Sequence, residues 1–112
     1  MARLLLVEDE VTLLGLLRRY LERQGHTVVT AESASAVNAS QAGEYDLAIV
    51  DLTLPGASGE QVIAALRAVN PRLPAILTSG YPYAPQQARV AFLQKPFLPQ
   101  MLVAEVEKLT QR

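Results

Sequence analysis

Glu8, Asp9, Asp51, Ser79 and Lys95 are the residues of this chain whose types and positions could do chemistry together. Each stands at the C-terminal end of a short apolar run that reads as a β-strand: Leu4–Val7, Leu47–Val50, Ala75–Thr78 and Val90–Leu93. In an open parallel sheet, residues just past the strand ends converge on one edge, and ligand sites form there. Three carboxylates, one hydroxyl and one ammonium on one edge describe a site for a divalent cation and a phosphoryl group. Magnesium takes oxygen ligands, usually one or two carboxylates plus waters. Asp9 with Asp51 meets that requirement, and Glu8 could hold a coordinated water.

Each residue also has a plainer reading. Glu8-Asp9 alone would be a solvated acid pair, with Asp9 as a helix N-cap. Asp51 precedes Leu52-Thr53-Leu54-Pro55-Gly56 and alone would be a turn-capping aspartate. An aspartate can also attack phosphorus to form an acyl phosphate. Its charge must then be offset by a metal and a cation, and both are on offer here. The Thr53 backbone carbonyl is placed by spacing as a third metal ligand. Ser79 could donate to a phosphoryl oxygen, and Gly80 would let a backbone N–H approach closely. Thr78 competes for the hydroxyl role; Ser79 is preferred because glycine follows it directly. Lys95 precedes Pro96, and a cis bond there would re-aim the chain so that the ammonium reaches a phosphoryl oxygen as a point charge.

The elements that must position these residues alternate strand and helix, which predicts an α/β fold with a parallel sheet. Val11, Leu14, Leu17 and Leu21 recur at helical spacing after the first strand, and Gly25 fits a left-handed C-cap. Thr27–Thr30 reads as the second strand. Ser33 caps a second helix through about Ala42, stopped by Gly43. Ser58 caps a third, with Val62, Ile63, Leu66 and Val69 as its buried stripe, closed by Pro71 and Pro74. Pro99 fits the first turn of the last helix, whose inner face is Leu102, Val103, Val106 and Leu109. Its basic end, Lys108 and Arg112, suits the helix dipole. Between Tyr81 and Arg89, Pro82 and Pro85 forbid a regular helix. The fourth helix is therefore expected to be shortened or absent, although a parallel crossover usually carries one.

The 112 residues predict one domain over 1–112, and a 50% hydrophobic content is enough for a core. With no cysteine there is no disulfide framework and no thiolate metal site, which fits a reducing cytoplasm. A net charge of −1 offers no footprint for direct nucleic-acid binding. No apolar run is long enough for a membrane span, and the first one meets three acids, unlike a secretory signal.

Taken together, the motifs resemble the receiver domain of two-component response regulators. They are Leu-Leu-Leu-Val-Glu8-Asp9-Glu10, Asp51-Leu-Thr-Leu-Pro55-Gly-Ala-Ser-Gly59, Thr-Ser79-Gly80 and Phe92-Leu-Gln-Lys95-Pro96-Phe97, and they span essentially the whole chain. The resemblance implies a flavodoxin-like doubly wound five-stranded parallel sheet of order 2-1-3-4-5, flanked by helices. It implies Asp51 as phosphoacceptor, taking phosphate from a sensor histidine kinase or phosphotransfer protein. Glu8, Asp9, Asp51 and Thr53 would form the Mg2+ site, and Ser79, Gly80 and Lys95 the phosphoryl-binding set. Ser79 and Phe92 would be the switch pair, and Thr53 and Tyr81 would tune phosphoryl lifetime. A bulky Tyr81 would hinder the attacking water. The protein would thus be a signalling switch, not an enzyme. It would be either a stand-alone regulator or one domain of a longer or hybrid protein, with an unknown downstream partner.

Three rivals differ at named residues. A haloacid-dehalogenase-type phosphatase needs a second aspartate where Thr53 stands, as general acid. A flavin or nucleotide binder needs glycines and hydroxyls where Glu8-Asp9-Glu10 would repel phosphate. A pseudo-receiver would bind partners without phosphorylation and has no need of the full acid, hydroxyl and lysine set. His26, the single histidine, lies in a turn with no second His or Cys nearby in sequence, and reads as an exposed loop residue.

Overall fold

A computed structural model describes residues 1–111 of the chain. Five strands form one parallel sheet: β1 (Arg3–Val7), β2 (Thr27–Ala31), β3 (Leu47–Asp51), β6 (Ala75–Ser79) and β7 (Val90–Gln94), in the order β2-β1-β3-β6-β7. Numbering only these strands, the order is the expected 2-1-3-4-5. The remaining two, β4 (Thr53–Leu54) and β5 (Ala57–Ser58), form a small antiparallel hairpin. The sequence reads as a Pro-Gly loop there. In the fold, Pro55 and Gly56 are the turn itself, with Gly56 at φ 83°, the left-handed conformation a type II turn requires.

Alternation along the strands divides the core. Leu4, Leu6, Ile49 and Ile76 point to the layer of α1 (Val11–Arg23) and α3 (Pro99–Thr110), where they meet Leu14, Leu17, Leu21, Leu102 and Val106. Leu5, Val7, Val50 and Leu77 point to the other layer, against Val62, Ile63 and Leu66 of α2 (Gly59–Val69). Both faces are covered, so the central strands β3 and β6 are buried at every position, as parallel sheets require.

The caps divide into those met and those replaced. Gly25 takes φ 95° after α1, and Ser58 closes a full capping box with Gln61 on α2. Pro99 occupies the first turn of α3. The second helix expected over Ser33–Ala42 does not form as an α-helix. Two 3₁₀ segments, Ala34–Ala36 and Ala39–Glu44, take its place, the second capped by the Asn38 side chain and running past Gly43. Ser33 does not cap; its hydroxyl meets that of Ser35. A run of Ser, Ala and Asn with local side-chain bonds favours tight turns over an α-helix. Val69, read as part of the buried stripe, is 50% exposed at the last position of α2, and Val11, at the first position of α1, is 61% exposed.

The reading of residues 81–89 holds: no helix forms between β6 and β7. No described helix is long and apolar enough to cross a membrane.

Candidate functional site

The C-terminal ends of β1, β3 and β7 deliver the acidic and basic residues to one place. Carboxylate oxygens of Glu8, Asp9 and Asp51 all lie within 4.8 Å of one another. The Lys95 ammonium bridges two of them, donating to Glu8 Oε1 at 2.8 Å and to Asp51 Oδ2 at 2.9 Å. The Lys95–Pro96 bond is cis. Residues 87 and 44 positions apart in the chain thus share one charged centre.

Local backbone fixes each group. Glu8 continues β1, its N–H donating to the Ala31 carbonyl at 3.0 Å, and its Oε2 accepts the Glu10 N–H at 3.0 Å. Asp51 Oδ1 accepts the Thr53 N–H at 3.0 Å, so both carboxylate oxygens are engaged. Lys95 is aligned by its own N–H, which donates to the Ser79 carbonyl at 2.7 Å. Asp9 is not a side-chain cap. Glu10 holds the N-cap position of α1 without a side-chain bond, and Asp9 is exposed. Its carboxylate lies at the exposed rim of the cluster.

The electrostatics are those of a site built for a cation. Three carboxylates against one ammonium leave two net negative charges. Glu8 is 2% exposed, and burial pushes its carboxyl above the ordinary glutamate range despite the Lys95 bond. For Lys95, burial pulls downward, but the bonds to Glu8 and Asp51 outweigh it and hold the ammonium above the usual lysine value. Oxygen donors alone, crowded and negatively charged, match a hard divalent ion such as Mg2+.

The other predicted residues are held by contacts of their own, and none makes a side-chain hydrogen bond to the three carboxylates or the Lys95 ammonium. Ser79 is buried at the end of β6, and its hydroxyl accepts the Tyr81 N–H at 3.1 Å. Thr78, its competitor, is equally buried and lies opposite Asp51 in the strand register. Gly80 has room for a side chain, since an added Cβ would meet nothing within 4 Å. Phe92 is half-buried, its ring tilted 59° against that of Tyr83 with centroids 6.2 Å apart. The Tyr81 ring is 78% exposed. His26 is not a bare loop residue: its Nδ1 accepts the Ala2 N–H at 3.1 Å, a purely structural bond.

Gly59 and the Tyr83–Glu60 pair escape a reading from sequence. Gly59 matters because a Cβ there would run into the Asp51 carbonyl oxygen and come within 2.9 Å of Leu77 Cδ2. In sequence Gly59 is marked only as the last residue of the Asp51–Gly59 motif, directly after an N-cap serine, and neither signal shows the close approach to the Asp51 carbonyl. Tyr83 donates to Glu60 across 23 residues, with no local pattern to mark it.

Comparison with known proteins places this arrangement. A family model described as the response regulator receiver domain matches residues 4–107. The transcriptional regulatory protein TcrA of Mycobacterium tuberculosis is 35% identical over 98% of the chain. The chain spans 46% of TcrA, less than half its length. The receiver domain of the hybrid histidine kinase CckA superposes with a TM-score of 0.88 at 30% identity, covering 97% of this chain and 99% of that one. TrrA of Thermotoga maritima, solved in complex with Mg2+ and BeF, gives a TM-score of 0.80 at 30% identity, covering 97% and 99%. The chain belongs to the response regulator receiver domain family of two-component signalling.

Proposed function

We propose that Asp51 is the phosphoacceptor of a phosphorelay. The observation that carries this is the Lys95 ammonium, held at 2.9 Å from Asp51 Oδ2 beside two further carboxylates. An Asp51 oxygen attacks the phosphorus of a phosphohistidine on a sensor kinase or phosphotransfer protein. The new O–P bond forms as the P–N bond breaks, and the imidazole leaves with the electron pair. Lys95 and the Ser79 hydroxyl would hold phosphoryl oxygens, with the Gly80 N–H beside them. Fixed donors at that position are worth more than mobile water because they need no reorganisation. Phe92 would respond to Ser79, and Thr53 and Tyr81, flanking the site, would set the acyl phosphate's lifetime.

The donor set fits Mg2+ held by Asp9, Asp51 and the Thr53 carbonyl oxygen, with Glu8 assisting through water. Bound there, the ion supplies charge neutralisation for the phosphoryl oxygens. The protein would then be a cytoplasmic switch over residues 1–112, controlling a protein partner without turning over a substrate. The absence of cysteine and the near-neutral charge support that setting.

Incubation with a small phosphodonor and magnesium is expected to add one phosphate by intact mass, with none on Asp51→Asn. An unmodified wild-type protein would return the reading to a partner-binding fold without phosphorylation. Mg2+ is also expected to stabilise the fold, since binding only the native state adds about 1.4 kcal/mol at ten times its Kd. Thermal melts should rise by about 5 °C, and Asp9→Asn should remove the rise. Equal shifts in both proteins would place the ion elsewhere.

A further inference from the structure

Residues 81–89 replace a helix, yet they are fastened to α2 at both ends. The Tyr83 hydroxyl donates to Glu60 in the first turn of α2. Arg67, two turns along the same helix, donates to the Arg89 carbonyl at 3.3 Å, and Arg89 donates back to the Arg72 carbonyl at 2.7 Å. Residues seven apart share one face of a helix, so α2 presents a two-point rail to the extended segment. Arg89 holds φ 59°, a left-handed conformation kept in place by these bonds.

The fastening touches both ends of the signalling pathway. Tyr83 packs on Phe92 at 6.2 Å between centroids. Two residues before Tyr83, the Tyr81 N–H donates to the Ser79 hydroxyl at 3.1 Å. A rotation of Ser79 that aims its hydroxyl at a phosphoryl group carries the acceptor away from that N–H. The Glu60 bond also holds the Tyr83 phenol above its ordinary pKa.

We propose that Tyr83 is a latch: joined to Glu60 and seated on Phe92, it clamps residues 81–89 across α2 while Asp51 is unphosphorylated, and the turn of Ser79 releases it. This rests on the reading of Asp51 as phosphoacceptor. The latch biases the protein toward its resting form, and any ligand that selects the other form binds more weakly by the fraction of protein that is competent. Coupling of this kind is reciprocal. Removing the latch must therefore tighten binding of a phosphoryl mimic, although Tyr83 touches neither Asp51 nor Lys95 through any hydrogen bond.

The test is titration of the full chain with beryllofluoride in magnesium, read by calorimetry, with Tyr83–Phe92 ring contacts followed by NMR. Y83F keeps the ring and deletes the bond. It is expected to tighten the apparent Kd about fivefold, the scale of one partly exposed hydrogen bond. Glu60→Ala should do the same, the double variant no more than either, and Glu60→Gln should restore the wild-type value through its amide oxygen. In wild type the Tyr83–Phe92 contacts should weaken on saturation. Unchanged affinity in Y83F and Glu60→Ala, or persistent ring contacts in the saturated protein, overturns the latch alone. A wild-type protein that binds no beryllofluoride overturns the phosphoacceptor reading and the latch with it.

Discussion

Replacing Gly59 with alanine is expected to lower the unfolding free energy by about 3 kcal/mol, about 12 °C in melting temperature. It is also expected to slow phosphorylation about 100-fold. Gly59 opens α2, and its N–H donates to the Leu52 carbonyl at 2.7 Å. A Cβ there would collide with the Asp51 carbonyl oxygen and press on Leu77 Cδ2 at 2.9 Å. The obstacle is backbone, so no side chain can rotate aside. β3 lies between β1 and β6 in the sheet, so the collision is relieved only by moving α2 or by twisting the Asp51 peptide. The second route carries the Asp51 carboxylate away from Lys95. Urea titration and the rate of phosphate uptake measure the two effects separately. Gly43→Ala is the control, because a Cβ there meets nothing within 4 Å; it should stay within about 0.5 kcal/mol of wild type. Wild-type stability and rate in Gly59→Ala would show that the helix start yields without disturbing the strand.

The division between what could be read from the chain and what could not follows the range of the forces involved. The apolar runs ending in Glu8, Asp51, Ser79 and Lys95 announce a parallel sheet, because burial on both faces demands nearly continuous hydrophobic strands. Once the strand ends are known, topology carries Glu8, Asp9, Asp51 and Lys95 together, and the bonds at 2.8 and 2.9 Å are the outcome. Ser58 was legible as a cap since a capping box is a four-residue pattern. The 3₁₀ turns over 34–44 were not, because serine and asparagine serve helix starts and tight turns equally well. The choice between Thr78 and Ser79 depends on side-chain direction at a strand end, which a one-residue boundary shift reverses.

What remained hidden is long-range and unpatterned. The proline content of 81–89 predicts that a helix is missing, but not that Tyr83 would find Glu60 or that Arg67 would hold the Arg89 carbonyl. Those pairings depend on where the segment lies over α2, which no local spacing encodes. The same limit applies to Gly59. Its backbone needs no left-handed angle, so neither turn chemistry nor helix propensity marks it; only the approach of β3 does.

Lys95→Met in metal-free buffer is expected to destabilise the fold by about 3 kcal/mol at pH 8, and by distinctly less at pH 5. Lys95 is 22% exposed at its side chain, while Glu8 and Asp51 are 3% and 9% exposed, so solvent screens this cluster weakly. Methionine keeps an unbranched stem and removes the charge, leaving two buried carboxylates to face each other. The sign of the pH effect follows from Glu8. Its folded-state pKa already lies above the ordinary value, chiefly through burial, so the native form binds protons that the unfolded chain has released. Stability therefore falls as pH rises from the ordinary glutamate range through the raised Glu8 value, and holds level above it. Without Lys95 the opposing contribution of that ammonium is gone, the Glu8 value moves further up, and the fall with pH becomes steeper. Mg2+ should recover part of the loss at pH 8, since it supplies positive charge to the same oxygens. Urea unfolding at the two pH values, with and without Mg2+, measures all of this. A gap between variant and wild type that is equal at pH 5 and pH 8 would mean that Lys95 contributes packing there and not charge.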